Sequence, residues 1–286
     1  MVADPNYDVT AEMNRIADTF GIGHKTAYTR FHSYFGTSPK KHVRDLVTPS
    51  KAKLTEMILN TGTVSELWDL LPRPSVFYTG LFDQNYGVST YKKAKVEILK
   101  GASTTPYVVT REDNRSLIYS QLLGDGSYDD RRHALRISHG IKQAEYLKAK
   151  VTMMTKAYPN LYSEVKIHTH TQGHQYASWY SGSLGNVDIP EKKDYHLLVE
   201  KLTPIGWLLW WLDDGWWAQN VAISICNADT EKAAIEVLAT YGIAARPAQN
   251  GSIQMRGEVN DMLFYNTFIA PLRHLIPACM MYKVKI

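Results

Sequence analysis

Two apolar helices, 89 residues apart and each ending in a carboxylate followed by glycine, constrain this chain more than any other feature. The first reads Ser116-Leu-Ile-Tyr-Ser-Gln-Leu-Leu-Gly-Asp125-Gly126, and the second reads Gly206-Trp-Leu-Leu-Trp-Trp-Leu-Asp-Asp214-Gly215. A carboxylate in the last turn faces the negative end of the helix macrodipole, so each implies a compensating cation. The glycine after it is expected to let the chain leave in a left-handed conformation. One such helix would read as an exposed cap, but two packed side by side would bring Asp125 and Asp214 together. Close carboxylates repel one another, and divalent ions relieve that repulsion. Downstream elements also match: Ser138 and Asn227 each stand 13 residues past the aspartate, where each is expected to close a strand and lead into a long helix.

Charge narrows the partners. The 286 residues include 32 basic and 28 acidic side chains, a net +4, which splits as +3 over 1–105, +1 over 106–200 and zero over 201–286. A polyanion would therefore be held by placed contacts or metal ions rather than by a bulk field. Two cysteines, Cys226 and Cys279, cannot build a disulfide framework, which fits a reducing, cytoplasmic setting. The first 30 residues lack a signal-like apolar run, and the Pro204–Leu212 stretch stops far short of the ~20 residues of a membrane span.

The N-terminal third repeats itself at a shift of 51 residues, with Phe31 over Phe82 and Phe35-Gly36-Thr37-Ser38 over Tyr86-Gly87-Val88-Ser89. Each copy reads as two short helices and a turn. In the first, Met13, Ile16, Ala17 and Phe20 recur at helical spacing after a Thr10 cap, Gly21 turns the chain, and a second helix covers 24–34. Ser38-Pro39 starts a third helix, and Lys51 to Asn60 joins the copies. In the second copy Pro72-Arg73-Pro74 replaces the glycine turn, and Ser75 to Asn85 is the expected second helix.

Gly101-Ala-Ser-Thr-Thr-Pro106 reads as a linker, giving an all-α domain over 1–105 and a second domain over 106–286 with halves at about 106–200 and 201–286. Strands are expected at 134–138, 165–171, 176–180, 221–225 and 252–255, with helices over 141–158 and 230–241. That order is α+β, and no phosphate-cradling glycine loop is present.

Two resemblances follow from these residues. Arg30-Phe31-His32-Ser33-Tyr34-Phe35-Gly36-Thr37-Ser38-Pro39, Lys51-Ala-Lys-Leu54, Leu59-Asn-Thr-Gly62, Phe77-Tyr78, Leu81-Phe82 and Tyr86-Gly87 resemble the double helix-turn-helix DNA-binding domain of the AraC/XylS family. The two Asp-Gly motifs resemble those of single-chain LAGLIDADG homing endonucleases, as do Leu135-Arg-Ile-Ser-His139, Lys142 to Leu147, Phe264-Tyr-Asn266, Pro271 and Met280-Met-Tyr-Lys283. The second resemblance implies two pseudo-symmetric αββαββα halves, a saddle of antiparallel strands and a monomer that cuts double-stranded DNA with Mg²⁺, for which Mn²⁺ or Ca²⁺ can substitute. Leu209 stands where that family has a small residue, and Ser120 and Gly124 opposite are expected to absorb its bulk.

The resemblance implies Asp125 and Asp214 as metal ligands, with Gly124 and Asp213 beside them and Asp213 orienting or exposed. Lys283 matches a Tyr-Lys signature and is the expected basic residue of one centre; Lys192 or Lys193 would serve the other. On the helical module, His24, Lys25, Thr26 and Thr29, then Ser75 and Thr79, are positioned to face a major groove. Arg132, Arg136, His168, His170, Gln172 and Gln175 in the first half are candidate DNA contacts, as are Arg246, Gln249, Gln254 and Arg256 in the second. His168 and His170 could suggest zinc, but no third ligand has fitting spacing. Of the five tryptophans between Trp207 and Trp217, those on the helix are expected in the core, with Trp216 and Trp217 free to approach DNA. The rival expectations are an inactive DNA-binding regulator and an RNA-splicing maturase.

Overall fold

The computed structural model describes residues 8–71, 75–78, 80–185, 187, 189 and 194–285. The expected contacts Thr79, Lys192 and Lys193, and the Pro72-Arg73-Pro74 turn, lie outside them. The chain divides into two compact units, Met1–Gly101 and Ala102–Ile286.

The first unit is helical among its described residues: α1 (Val9–Thr19), α2 (His24–Phe35), α3 (Pro39–Val47), α4 (Lys51–Asn60), α5 (Val64–Asp69), α6 (Leu81–Tyr86) and α7 (Tyr91–Lys100). Met13, Ala17 and Ala27 form one small core, in which Ala17 and Ala27 let α1 and α2 approach closely. Leu54, Ile58, Leu67, Leu81, Phe82 and Tyr91 anchor a second. Gly21 turns between α1 and α2 at φ +61° and Gly36 ends α2 at φ +68°. Ser38 caps α3, its Oγ accepting from Lys41 N at 3.3 Å.

Three local expectations are corrected. Asp8, not Thr10, caps α1, because its carboxylate accepts from both Thr10 N and Ala11 N, a stronger cap than a hydroxyl. Phe20 falls past the end of α1 and is exposed rather than packed. The helix expected over Ser75–Asn85 is interrupted: a 3₁₀ turn covers Ser75–Tyr78, Gly80 sits at φ +81°, and α6 begins only at Leu81.

The second unit is α+β, and both of its halves run αββαββα. The first comprises α8 (Asp113–Leu123), β1 (Gly126–Asp129), β2 (Ala134–Gly140), α9 (Ala144–Ala157), β3 (Lys166–Thr169), β4 (Gln175–Tyr180) and α10 (Tyr195–Glu200). The second comprises α11 (Pro204–Asp214), β5 (Gly215–Trp217), β6 (Val221–Ser224), α12 (Ala228–Thr240), β7 (Ala245–Ala248), β8 (Ser252–Met255) and α13 (Glu258–Phe264). Each half has a four-stranded antiparallel sheet of the same order, β1-β2-β4-β3 and β5-β6-β8-β7. Alternation buries Leu135, Ile137, Ala177 and Trp179 under α9, and Val221, Ile223, Ile253 and Met255 on the matching face of the second sheet.

The motif helices α8 and α11 are buried nearly all round, as the centre of a unit requires. They run parallel and close together. At their start Thr203 N donates to Ser116 Oγ at 2.9 Å; a Cβ on Gly206 would lie 2.1 Å from that Oγ. At their end, a Cβ on Gly124 would lie 2.5 Å from Asp213 Oδ2. The tight contacts are therefore Ser116 with Gly206 and Gly124 with Asp213, and Gly124 accommodates Asp213 rather than Leu209.

The glycines after the carboxylates are not left-handed, contrary to expectation. Gly215 has φ −94°, and Gly126 is not among the positive-φ residues. They are required for space: a Cβ on Gly126 would stand 2.5 Å from Gln121 O, and one on Gly215 would stand 2.1 Å from Trp211 Cδ1. Ser138 likewise lies inside β2 instead of closing it, whereas Asn227 caps α12, accepting from Thr230 N at 2.8 Å.

Candidate metal and nucleic-acid site

The ends of α8 and α11 bring Asp125, Asp213 and Asp214 into one charged cluster with His139, Tyr146, Lys150 and Lys283. Asp213 lies at its bottom. Its side chain has no exposed surface, and Lys150 Nζ donates to its two oxygens at 2.8 and 2.9 Å. Tyr146 OH donates to Asp213 Oδ1 at 2.8 Å. Burial, and then the Asp213 charge, push the Tyr146 phenol well above its ordinary range, so it remains a donor. Asp213 is therefore saturated by this chain's own side chains and is not exposed.

Asp125 is more open. Its Oδ2 lies 3.3 Å from His139 Nδ1, and its backbone N lies 3.4 Å from Asp213 Oδ2. Burial first and the Asp213 charge second raise its carboxyl, opposed by Lys150 and Lys283. His139 is pulled down to about 4 by burial and then by Lys150, against the Asp213 charge and a hydrogen bond with Gln143, so near neutrality its ring is neutral and its contact with Asp125 is not an ion pair.

The Asp214 side chain makes no hydrogen bond among the described residues, although the residue is half-buried. Burial, then Asp125 and Asp213, push its carboxyl up to about 6. A half-buried carboxylate beside two others, with no donor of its own, suits a divalent cation, and Asp125 can share that cation from the other helix. Asp125, His139 and Asp213 also place ligand-type atoms within 4.8 Å of one another, but Lys150 already occupies the Asp213 oxygens. Asp125 and Asp214 are the two carboxylates of the cluster whose oxygens Lys150 does not occupy.

The cation that the α11 dipole requires is present. Lys283 Nζ donates to Leu212 O at 2.6 Å and Asp213 O at 3.1 Å, capping the C-terminal end of α11. Burial lowers its ammonium from the ordinary range, against the pull of the three aspartates.

The sheet faces turned away from the helices carry the expected polar residues. Arg136 is exposed on β2 opposite Tyr180, and Arg132 lies over the Tyr180 ring, 5.5 Å from its centroid. His168 stacks on Tyr176 at 5.0 Å and bonds Ser178 Oγ at 2.9 Å. Gln175 opens β4, while His170 and Gln172 lie in the exposed turn before it. His168 and His170 belong to no metal-type cluster among the described residues. On the second sheet Arg246 pairs with Gln254, its Nη2 3.5 Å from Oε1; Gln249 and Arg256 are exposed at strand ends. Trp207, Trp210 and Trp211 are fully buried, whereas Trp216 and Trp217 are partly exposed, with Trp217 6.0 Å from the Tyr265 ring. In the first unit, His24, Lys25, Thr26 and Thr29 line the exposed start of α2, and Ser75 is exposed.

His139, Tyr146 and Lys150 were not among the expected site residues. Their signal was a polar residue at a core position: His139 continues the inward register of Leu135 and Ile137, and Lys150 stands one turn from both Tyr146 and Met154 on the buried face of α9.

No family model matches this chain, and no curated protein matches it. Among solved structures it is similar to the homing endonuclease I-WcaI bound to its DNA recognition sequence, with a TM-score of 0.43 and 15% identity over 71% of this chain and 96% of that one. It is similar to full-length DUF199/WhiA from Thermatoga maritima, with a TM-score of 0.41 and 16% identity over 63% of this chain and 61% of that one. It is also similar to mesophilic variants of the homing endonuclease I-DmoI, with a TM-score of 0.39 and 9% identity over 55% of this chain and 96% of that one. Residue roles in this chain rest on the geometry described above.

Proposed function

We propose that the Ala102–Ile286 unit is a divalent-metal-dependent endonuclease that makes a sequence-specific double-strand break in DNA. The observation that carries this reading is the pair of helix-end carboxylates, with Asp214 half-buried, unpartnered and pushed up to about 6 by its acidic neighbours. Asp125 and Asp214 would hold the cation, with Mg²⁺ the expected ion. A divalent cation there supplies Lewis acidity and neutralises charge building on the scissile phosphate. The protein's own groups do the rest. Lys150 and Tyr146 fix Asp213 so that its charge faces inward, and Lys283 sets a positive charge at the end of α11. The exposed sheet residues, Arg132, Arg136, His168, Gln175, Arg246 and Gln254 among them, would read base edges.

The helical first unit would lengthen the recognised site, with His24, Lys25, Thr26 and Thr29 of α2 entering a groove as in a helix-turn-helix. Two modules on one duplex would raise effective concentration and specificity. The chain would act as a monomer on cytoplasmic DNA; among the described residues no helix is long and apolar enough to cross a membrane. The test is selection of cleaved sites from a random DNA library with Mg²⁺, alongside EDTA. A single long consensus, cut on both strands only with the metal, is expected. Binding without cutting would favour the regulator, and selective binding of structured RNA the maturase.

A further inference from the structure

We propose that the α2–α3 surface of the first unit is a stacking platform for an unpaired DNA strand, a binding function separate from cleavage. The choice of DNA over RNA rests on the nuclease reading above; the stacking of unpaired bases does not.

Aromatic rings form a ledge where α2 meets α3. Phe31 packs against the small core of Met13, Ala17 and Ala27 and anchors it. The Phe35 ring centre lies 4.4 Å from that of Phe31 and 4.8 Å from that of His42, and the Tyr34 ring lies 5.0 Å from Phe35. Beyond the anchor the ledge faces solvent: Tyr34 is 84% exposed, Leu46 is 72% exposed and Phe35 is half-exposed. The stretch that builds it is cationic. Residues 24–46 hold three lysines and two arginines against one aspartate, a net +4. The whole chain is also +4, so everything outside this stretch balances to zero. None of Lys25, Arg30, Lys40, Lys41 and Arg44 pairs with a carboxylate among the described residues. Arg30 stands one turn before Tyr34 on the same helix face. Lys40 and Lys41 open α3, whose first turn has no acidic residue, so the helix dipole adds to their field.

The repeat supplies an internal control. At a shift of 51 residues, Tyr34, Phe35, His42 and Leu46 fall on Asn85, Tyr86, Lys93 and Glu97. Asn85 Nδ2 donates back to Leu81 O at 2.9 Å, and the Tyr86 hydroxyl is hydrogen-bonded to Thr55 Oγ1 at 2.8 Å. Residues 75–97 carry three lysines against one aspartate and one glutamate, a net +1. The same position in the fold is closed and polar in one copy, so packing does not require the open ledge of the other. Rings and cations together select the partner. A second copy of this surface would set +4 against +4. A duplex offers phosphates but keeps its bases stacked inside, whereas an unpaired strand offers phosphates and open base faces at once. A nuclease that severs both strands creates duplex ends, where pairing is lost first.

The experiment is fluorescence anisotropy on the full chain without metal, using three labelled probes of equal length: oligothymidylate, oligouridylate and an abasic deoxyribose-phosphate strand. Wild type should bind oligothymidylate at least about fivefold more tightly than the abasic strand, because each stacked base adds affinity. Tyr34→Asn installs the residue of the second copy. It should bind oligothymidylate about fivefold to a hundredfold more weakly and lose the preference over the abasic strand. Tyr34→Trp, with a larger ring face, should keep that preference. Lys40→Ala combined with Lys41→Ala should weaken both strands alike and reduce the slope of log affinity against log salt by about 1.4. Should Tyr34→Asn melt lower than wild type, Leu46→Glu, also a residue of the second copy, carries the same readout. Equal wild-type affinity for oligothymidylate and the abasic strand, a preference that survives Tyr34→Asn, or tighter binding of oligouridylate than of oligothymidylate would overturn the proposal. So would a dimer, seen by sedimentation, that Leu46→Glu dissolves, since a second copy would then cover the ledge. Wild-type protein that cuts no duplex target would remove the nuclease reading and with it only the reason for choosing DNA, while the three probes would still decide the ledge.

Discussion

The two halves of the Ala102–Ile286 unit share an element order and a sheet order, yet beneath their carboxylates they are built differently. In the first half the strand and helix under Asp125 carry His139, Tyr146 and Lys150; in the second the matching positions are Ile225, Thr230 and Ala234. The side chain of Asp213, which belongs by sequence to the second motif, is held by residues of the first half. The duplicated fold thus preserves where the carboxylates stand while leaving their support free to diverge. The charge on Asp213 is affordable only because one half supplies the lysine and the other half supplies the space.

The comparison breaks most sharply at the carboxylates themselves. If both hold the catalytic cation, Asp125→Asn and Asp214→Asn should each lower double-strand cleavage by on the order of a thousandfold, whatever the difference in their surroundings. DNA affinity, measured with Ca²⁺ or without metal, should stay close to wild type. Near-normal cutting by either variant would show that the halves are not partners in one site.

The next effect is on stability and should be confined to the first half's network. Asp213→Leu leaves the Lys150 ammonium buried without its carboxylate, which costs about 3–5 kcal/mol. K150M/D213L should recover most of that loss, since replacing a buried pair by apolar groups is often nearly neutral. Denaturant unfolding of the single and double variants measures the coupling. Additive losses would mean that the pair is not the unit of stability.

A smaller difference is expected at the sheets. Arg136→Ala and Arg246→Ala remove exposed guanidinium groups from the outer faces of the two sheets. Each should cost about 1–3 kcal/mol and relax base preference only in its own half of the target, as lost base contacts do. Site selection with each variant would separate this from a phosphate contact, which would weaken all sequences alike.

How much of this was legible in the sequence follows the same division. The duplicated Asp-Gly helices and the longer strands were readable because each carries its own period or breaker. The three- and four-residue strands β1, β5 and β7 were not, since they are too short to show alternation and exist through their ladders. The glycines after the aspartates were noticed for the wrong reason: backbone freedom was expected, whereas the structure needs the missing Cβ. Lys150 was hidden because a lone lysine in a helix reads as surface. Only the burial of Tyr146, Leu147, Val151 and Met154 around it puts it in the core.

The last prediction sharpens the contrast between the supported and the unsupported carboxylate through pH. In the metal-free folded chain Asp214 takes up its proton near pH 6, against the ordinary 3.8 expected for the unfolded chain. Between those values the folded state binds more protons, so this group's contribution to stability falls as pH rises, and the penalty is fully present above about pH 6. His139 acts in the opposite sense. Its folded value near 4 lies below the ordinary 6.5, so its contribution is lowest near pH 4 and rises toward pH 6.5. In wild type the two slopes oppose each other, giving a flat profile across this range. Asp214→Asn removes one of them. The variant should melt higher than wild type at pH 7.5, by about 2–4 °C after allowing for solvent screening of a half-buried group. That gap should close below about pH 4, and the variant's own profile should rise with pH as the His139 slope is unmasked. Added Mg²⁺ should raise the melting temperature of wild type at pH 7.5 and leave that of Asp214→Asn nearly unchanged, because the cation binds where the repulsion was. A melting temperature for Asp214→Asn below wild type at pH 7.5 would mean that the Asp214 carboxylate is stabilised by the protein after all, and that the second half holds a partner for it.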